Sequence, residues 1–475
     1  MTSLSGFFDI KKIPPIGLTT AEQRKLWLRQ FLKAFMVVFL AYMCMYLIRN
    51  NFKAAQPFLK EDYGISTLEL GYIGLAFSIV YGIGKTILGY LVDGKNTKRI
   101  ISFLLISSSI VVIVMGLVLS FFGSVVSVFI VLWGLNGIFQ SAGGPASYST
   151  IYRWVPRTKR ATAMGLWNSS HNIGGAIAGA LALWGANTFF GGNIAGMFIF
   201  PAVIALAIGI IGLYWGKDDP GELGWNLSEE IFEEPIEEKN VAAETMTKWE
   251  IFRKYLLSNP WVWVLCCANV FGYILRIGID NWAPLYVRET LQFSDYDAVN
   301  TILWFEAGAF IGSLFWGMIA DFFKGRTAAV GTVCLTIVFF AIDFYRDSSS
   351  VLTVNIALFC LGAMIFGTLT LIPISIINLA PKRGVSVANG MAGTFGYLFG
   401  DSTAKVALAL IADPKRDGLT VFGYNLHGWA DVFIVFNIAC VIAVALLFVV
   451  AIVEERKIRK IQKATELGLK VVNID

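Results

Sequence analysis

Two arginines stand where positive charge is costly. Arg49 and Arg276 each lie within a long apolar stretch, in the segments Tyr46-Leu47-Ile48-Arg49 and Tyr273-Ile274-Leu275-Arg276. At membrane depth a charge costs about 2.5–3.5 kcal/mol even on the lenient insertion scale, so such a residue must face a partner or a watered cavity. A guanidinium fork matches a phosphate group bidentately, and two forks facing one cavity would form an anion clamp. The residues around them fit that chemistry. Tyr42, Tyr46 and Arg49 follow i, i+4, i+7 spacing and share one helix face. Tyr81 and Lys85 are i, i+4 on the next stretch. A phenol gives a donor to a phosphate oxygen or a sugar hydroxyl, and the lysine gives another cation. His171, one of 2 histidines, follows Trp167 and Asn168 to complete a polar stripe. An imidazole can gain charge near neutral pH when an anion arrives.

Other charges invite blander readings. Asp280 lies four residues beyond Arg276 and is its candidate helical partner. Asp401 and Lys405 are i, i+4 and read as a structural pair, while Glu306 has no evident partner in the sequence. The run Gly82-Ile83-Gly84-Lys85-Thr86 mimics the end of a P-loop, but residue 79 is Ile79 where the motif needs glycine, and no strand precedes it. The 6 cysteines all sit in apolar stretches, with neither metal-ligand nor disulfide-framework spacing. No Ser-His-Asp arrangement stands out. Neither an enzyme nor a metal or cofactor protein is expected.

The elements that must carry these residues are membrane helices. Of 475 residues, 56% are hydrophobic and 15% charged, and the mean hydropathy is +0.66. That composition excludes an ordinary soluble enzyme and a disordered chain. The net charge of +5 is too small to suggest a nucleic-acid partner. Twelve apolar stretches approach the span of roughly 20 residues that a bilayer demands: 31–58, 68–92, 99–121, 125–150, 161–188, 194–215, 260–287, 296–320, 327–345, 351–378, 386–412 and 428–453. They read as helices, because a chain in hydrocarbon must satisfy its backbone internally. The first reads as a retained span, since no small-residue cleavage site follows it. Basic residues cluster at Lys95–Arg99, Arg153–Arg160, Lys324–Arg326, Lys382–Arg383 and both tails. By the positive-inside rule the termini are cytoplasmic.

The two halves repeat. Arg49 and Pro57 recur at one offset as Arg276 and Pro284, Gly89-x-x-x-Asp93 recurs as Gly317-x-x-x-Asp321, and Pro156 with Gly165 recurs as Pro381 with Gly390. The expected organisation is an N-terminal six-helix bundle (1–215), a solvated cytoplasmic linker rich in glutamate (216–258) and a C-terminal six-helix bundle (259–475). An all-α polytopic protein built of two parallel six-helix repeats is the architecture of the major facilitator superfamily, whose substrate sites lie near the membrane midplane. The Gly-x-x-x-Asp loops resemble that superfamily's signature, with Asp93 and Asp321 expected to cap or pair with helix ends.

With these residues quoted, the chain resembles the bacterial organophosphate:phosphate antiporters of that superfamily, nearer to their hexose-6-phosphate branch than to their glycerol-3-phosphate branch. The resemblance rests on Met45–Phe52, Tyr81–Thr86, Asp93–Lys98, Trp167–Gly175, Gly196–Pro201, Arg276–Asp280 and Glu454–Arg459. It implies exchange of a sugar phosphate for inorganic phosphate by alternating access in the inner membrane, with no cofactor and with a monomer as the expected state. It implies phosphate-binding roles for Arg49 and Arg276, and substrate roles for Lys85, His171, Tyr42, Tyr46, Tyr81, Tyr273 and Tyr397; Asn168 joins them from the polar stripe. One departure concerns the eleventh stretch. Where the hexose-phosphate members carry an acid and a lysine three apart, this chain has Asn389 and Ala392, which bears on sugar preference and leaves the net charge unchanged. The alternatives of other classes are a sugar-phosphate sensor of the same fold, a carrier of another ester such as glycerol 3-phosphate, and a proton-coupled symporter using Asp280, Glu306 or His171.

Overall fold

The computed structural model describes residues 4–92, 94–123, 125–156, 160–233, 250, 252–323, 326–377, 391–413, 418, 420–421 and 424–466. The long helices are α1 (Thr20–Tyr63), α2 (Thr67–Val92), α3 (Thr97–Phe122), α4 (Val126–Ser141), α5 (Gly143–Trp154), α6 (Arg160–Phe189) and α7 (Ala195–Tyr214). After the connecting segment come α8 (Pro260–Thr290), α9 (Asp295–Phe322), α10 (Thr327–Asp347), α11 (Val351–Ile377), α12 (Ser402–Ala412) and α13 (Trp429–Glu466). Among the described residues, 11 helices are long and apolar enough to cross a membrane. The stretch expected at 161–188 forms α6, which is 30 residues long. Its run of Asn168, Ser169, Ser170, His171 and Asn172 keeps it from being apolar enough. Among the described residues the all-α reading holds apart from a two-residue antiparallel ribbon, Thr420–Val421 with Tyr424–Asn425.

Several boundaries differ from the hydropathy reading for local reasons. The first helix begins eleven residues early, at Thr20, because Thr19 and Glu22 form a capping box. The fourth span breaks between α4 and α5. There Gly143 takes the flank of α1: a Cβ on it would lie 2.6 Å from Met45 Sδ and 3.2 Å from the Tyr42 ring. Near the end of the chain, a π-helical turn at Gly396–Asp401 leads into α12.

The described chain divides into two units, Met1–Glu238 with Trp282–Glu306, and Lys239–Asn281 with Ala307–Asp475. In the first, α1 packs along α6, α2 along α4 and α3 along α7; in the second, α10 packs against α11 and α13. The division differs from the sequence boundaries at the 282–306 hairpin and along the linker. The hairpin 282–306, expected with the C-terminal bundle, groups with the first unit. Lys60 pairs with Glu289, Arg288 donates to both carboxylate oxygens of Glu61 at 3.0 and 3.1 Å, and Asn50 donates to Glu306 at 3.2 Å. The opening of the expected linker also belongs to the first unit. Asp218 is fully buried, and Glu222, Ser228 and Ile231 are buried as well.

Asp218 is buried because it finishes a helix. Thr97 N donates to it at 3.0 Å and Lys98 N at 2.9 Å, so the carboxylate satisfies the open N-terminus of α3. Thr97 Oγ1 donates to the same carboxylate at 3.1 Å and meets Thr150 Oγ1 at 2.9 Å, while Arg153 supplies the ion pair. The second unit repeats the device. Thr327 N and Ala328 N donate to Glu454 at 3.2 and 3.0 Å, and Thr327 Oγ1 meets Ser375 Oγ at 2.7 Å. The internal repeat read from Arg49 and Arg276 therefore extends to residues that the sequence comparison had not aligned. Asp93, Pro381, Lys382, Asn389, Gly390 and the side chain of Asp321 lie outside the described residues.

Candidate anion-binding site

Each unit presents its arginine against aromatic rings. In the first, Arg49 rises from α1, with its Cζ 4.3 Å from the Tyr46 ring centroid, 4.8 Å from Phe77 and 4.5 Å from Tyr81. The spacing explains the grouping. Tyr46 sits one turn before Arg49 on α1, while Phe77 and Tyr81 are i, i+4 on α2 with their rings stacked at 5.4 Å. A ring quadrupole offsets part of the desolvation of a half-buried cation, by about 0.5–2 kcal/mol per contact. Gln140 on α4 adds a directional partner, its Oε1 accepting from Arg49 Nε at 2.9 Å.

His171 joins this group from α6. It is buried, 5.1 Å from the Tyr46 ring and 6.4 Å from the Tyr42 ring. Tyr42 also lies 4.6 Å from Trp167, which contacts Tyr148 at 4.9 Å. Thus Tyr42, Tyr46, Arg49, Tyr81 and His171, chosen from the sequence, form one cluster. Lys85 extends it by one turn along α2 beyond Tyr81, half-buried, and Asn168 lies half-buried on α6 one turn before His171.

In the second unit Arg276 rises from α8. Its Cζ is 4.3 Å from the Phe366 ring of α11 and 5.7 Å from Tyr273, one turn earlier. Tyr273 and Tyr397 meet edge to face at 5.2 Å. Gly396 makes that meeting possible, since a Cβ there would lie 2.7 Å from the Tyr273 ring. Tyr273, Arg276 and Tyr397 therefore form the second cluster. Asp280 is buried one turn beyond Arg276.

The remaining charges also find places. Lys405 and Asp401 form the expected ion pair at 2.9 Å. Glu306, without an evident partner in the sequence, accepts from Asn50. Ala392 is buried, its carbonyl accepting from Asn269 at 2.8 Å. Among the described residues, no group of His, Cys, Asp or Glu could hold a metal ion. Sequence reasoning missed Phe77, Gln140 and Phe366. For Gln140 a signal existed: it is an amide in an apolar stretch, i+4 from Asn136, on the face of one helix. The two phenylalanines carry no such signal among 37.

Comparisons with known proteins concern the family and the fold. The Major Facilitator Superfamily model matches residues 38–400. The chain is 43% identical over 465 residues to the hexose-6-phosphate:phosphate antiporter of Escherichia coli (strain K12), covering 97% of this chain and 99% of that one. It is 33% identical over 421 residues to the glycerol-3-phosphate transporter of Bacillus subtilis (strain 168), covering 88% and 91%. Among solved structures, a mutant of the nucleoside transporter NupG superposes with a TM-score of 0.65 at 11% identity, over 88% of this chain and 99% of that one. That last likeness concerns the fold alone.

Proposed function

The chain belongs to the Major Facilitator Superfamily, and from that premise we propose that it is an antiporter that takes up a hexose 6-phosphate in exchange for inorganic phosphate. The observation that carries the reading is the pair Arg49 and Arg276. They occupy the same position of the internal repeat, and each is set against aromatic rings. In this reading both guanidinium groups bind the phosphoryl group that the two substrates share. Lys85, His171 and Asn168 extend the polar surface on the first unit, and the tyrosines Tyr42, Tyr46, Tyr81, Tyr273 and Tyr397 serve hydroxyls and ring faces of the sugar. The protein sits in the inner membrane with both termini cytoplasmic, works as a monomer, and performs no covalent chemistry. Near-full-length similarity to a hexose-6-phosphate:phosphate antiporter supports the choice of substrates.

Obligatory exchange follows from electrostatics. An empty carrier must reorient with no anion on either guanidinium group, and closing over each of the two costs its hydration. A dianion removes both penalties at once, since a ligand shifts a conformational equilibrium only by its differential affinity for the two states. Reorientation is then fast only when the carrier is loaded.

The test is a competition panel. Purified protein in liposomes exchanges labelled phosphate, and unlabelled esters are added outside. Hexose 6-phosphates should compete at concentrations about tenfold lower than glycerol 3-phosphate, since extra hydroxyls that find partners contribute about 1.4 kcal/mol in sum. Equal or stronger competition by glycerol 3-phosphate would move the assignment to the shorter ester.

A further inference from the structure

We propose that Gln140 is a positioning residue for Arg49, and that Asn136 and Ser108 act through it to present one particular edge of the guanidinium to the anion. This rests on the exchange function proposed above and names the device that aims its first arginine. The four residues belong to one unit and to three helices, α1, α3 and α4. Gln140, Asn136 and Ser108 are each fully buried. Arg49 Nε donates to Gln140 Oε1 at 2.9 Å. Gln140 Nε2 donates to Asn136 Oδ1 at 3.0 Å and to Ser108 Oγ at 3.1 Å. Ser108 Oγ in turn donates to Asn136 Oδ1.

The direction of the relay is dictated by its first member. A guanidinium has five donors and no acceptor, so only the oxygen of Gln140 can face Nε. The Gln140 amino group is thereby turned toward α3 and α4, where it requires acceptors. Ser108 and Asn136 supply two, and the Ser108 proton, spent on Asn136, leaves the serine oxygen to accept. Reversing any one amide would set donor against donor in a site closed to water, where an unmade hydrogen bond is costly. The bonds therefore fix one orientation for the Gln140 amide, with Asn136 Oδ1 turned toward it and Asn136 Nδ2 turned away.

That orientation has a consequence for recognition. A guanidinium can grip an oxyanion sideways, through Nε and one Nη, or end-on, through both Nη groups. Gln140 occupies the Nε edge, so the sideways grip through Nε is closed to the anion at Arg49. The three rings at 4.3 to 4.8 Å restrict tilting of the guanidinium plane, and the glutamine restricts rotation within it. Preorganisation of this kind raises affinity by cutting the ordering cost of binding.

The experiment measures inorganic phosphate binding to the purified full chain by calorimetry, alongside phosphate exchange in liposomes and thermal unfolding. The variants are Gln140→Leu, Ser108→Ala and the double variant. Gln140→Leu should raise the phosphate Kd about tenfold, the size expected for a lost hydrogen bond to a charged group, with the maximal exchange rate kept within about twofold. Ser108→Ala, which touches Arg49 only through Gln140, should raise Kd about threefold. The double variant should be no weaker than Gln140→Leu alone, because Ser108 has nothing left to position. A purely structural role would instead lower the unfolding temperature and add the two effects. If Gln140→Leu does not fold, Ser108→Ala decides: an unchanged Kd overturns the proposal. Unaltered affinity in Gln140→Leu overturns it too, and leaves the exchange function standing. A native chain that neither binds nor exchanges phosphate overturns the exchange function and this proposal with it.

Discussion

The two arginines are equivalent in the repeat, but the residues that surround them differ. Arg49 Nε donates to Gln140 Oε1 on α4, in addition to meeting its rings. Arg276 has the Phe366 ring, on the helix that answers to α4. Gln140 stands ten residues before Thr150, and Phe366 nine before Ser375, and those two hydroxyls meet the equivalent threonines Thr97 and Thr327. The same contrast recurs one helix later. Tyr46 faces His171, while its counterpart Tyr273 packs on Gly396. Duplication kept the helix caps and the arginines, and diverged in the shell around them. The first unit has an amide and an imidazole where the second has a ring and a glycine. A hydrogen bond fixes the rotation of a guanidinium; a ring face fixes its plane and tolerates rotation about the perpendicular.

Substituting the arginines breaks the comparison at its root. Arg49→Lys and Arg276→Lys should each lower exchange about 100-fold, because an ammonium cannot reproduce the fork and each lost charged hydrogen bond is worth about 1.5–3 kcal/mol. Phosphate exchange in liposomes at matched protein amounts checks this; near-native exchange in one of the two would mean that a single arginine suffices. A smaller change sharpens the contrast. Phe366→Leu removes the ring face but keeps an apolar side chain, so the phosphate KM should rise only about threefold, in line with a partly exposed cation–π contact. A larger rise than that of Gln140→Leu would show that the Phe366 ring matters more to binding than the Gln140 amide.

The fold and the charged part of the site were legible in the sequence because charge in an apolar stretch is conspicuous. Arg49, Arg276 and His171 stand out for that reason, and so do Asp401 and Lys405, whose i, i+4 spacing allows the ion pair that forms. Gln140 stands out in the sequence only as an amide in an apolar stretch, and its role depends on Ser108 and Asn136 from α3 and α4 meeting in space. Phe77 and Phe366 look in sequence like any lipid-facing ring. Asp218 escaped for the opposite reason: it opens a stretch so rich in acids that solvation was the natural reading, and only the donors of Thr97 and Lys98 show that it closes a helix end. The grouping of the 282–306 hairpin with the first unit was equally hidden, since Lys60 to Glu289 and Glu61 to Arg288 are pairings of distant surface charges.

The central claim is that a phosphate-bearing substrate must occupy the carrier each time it turns over. Uptake of labelled glucose 6-phosphate into liposomes containing the purified chain tests it most directly, with the interior loaded either with phosphate or with an equal ionic strength of chloride. The account predicts robust uptake with internal phosphate and at least about 100-fold less without it, the barrier to an empty turn being about 3 kcal/mol higher. Equal uptake from both preparations, or uptake that follows an imposed pH gradient and ignores internal phosphate, would contradict it.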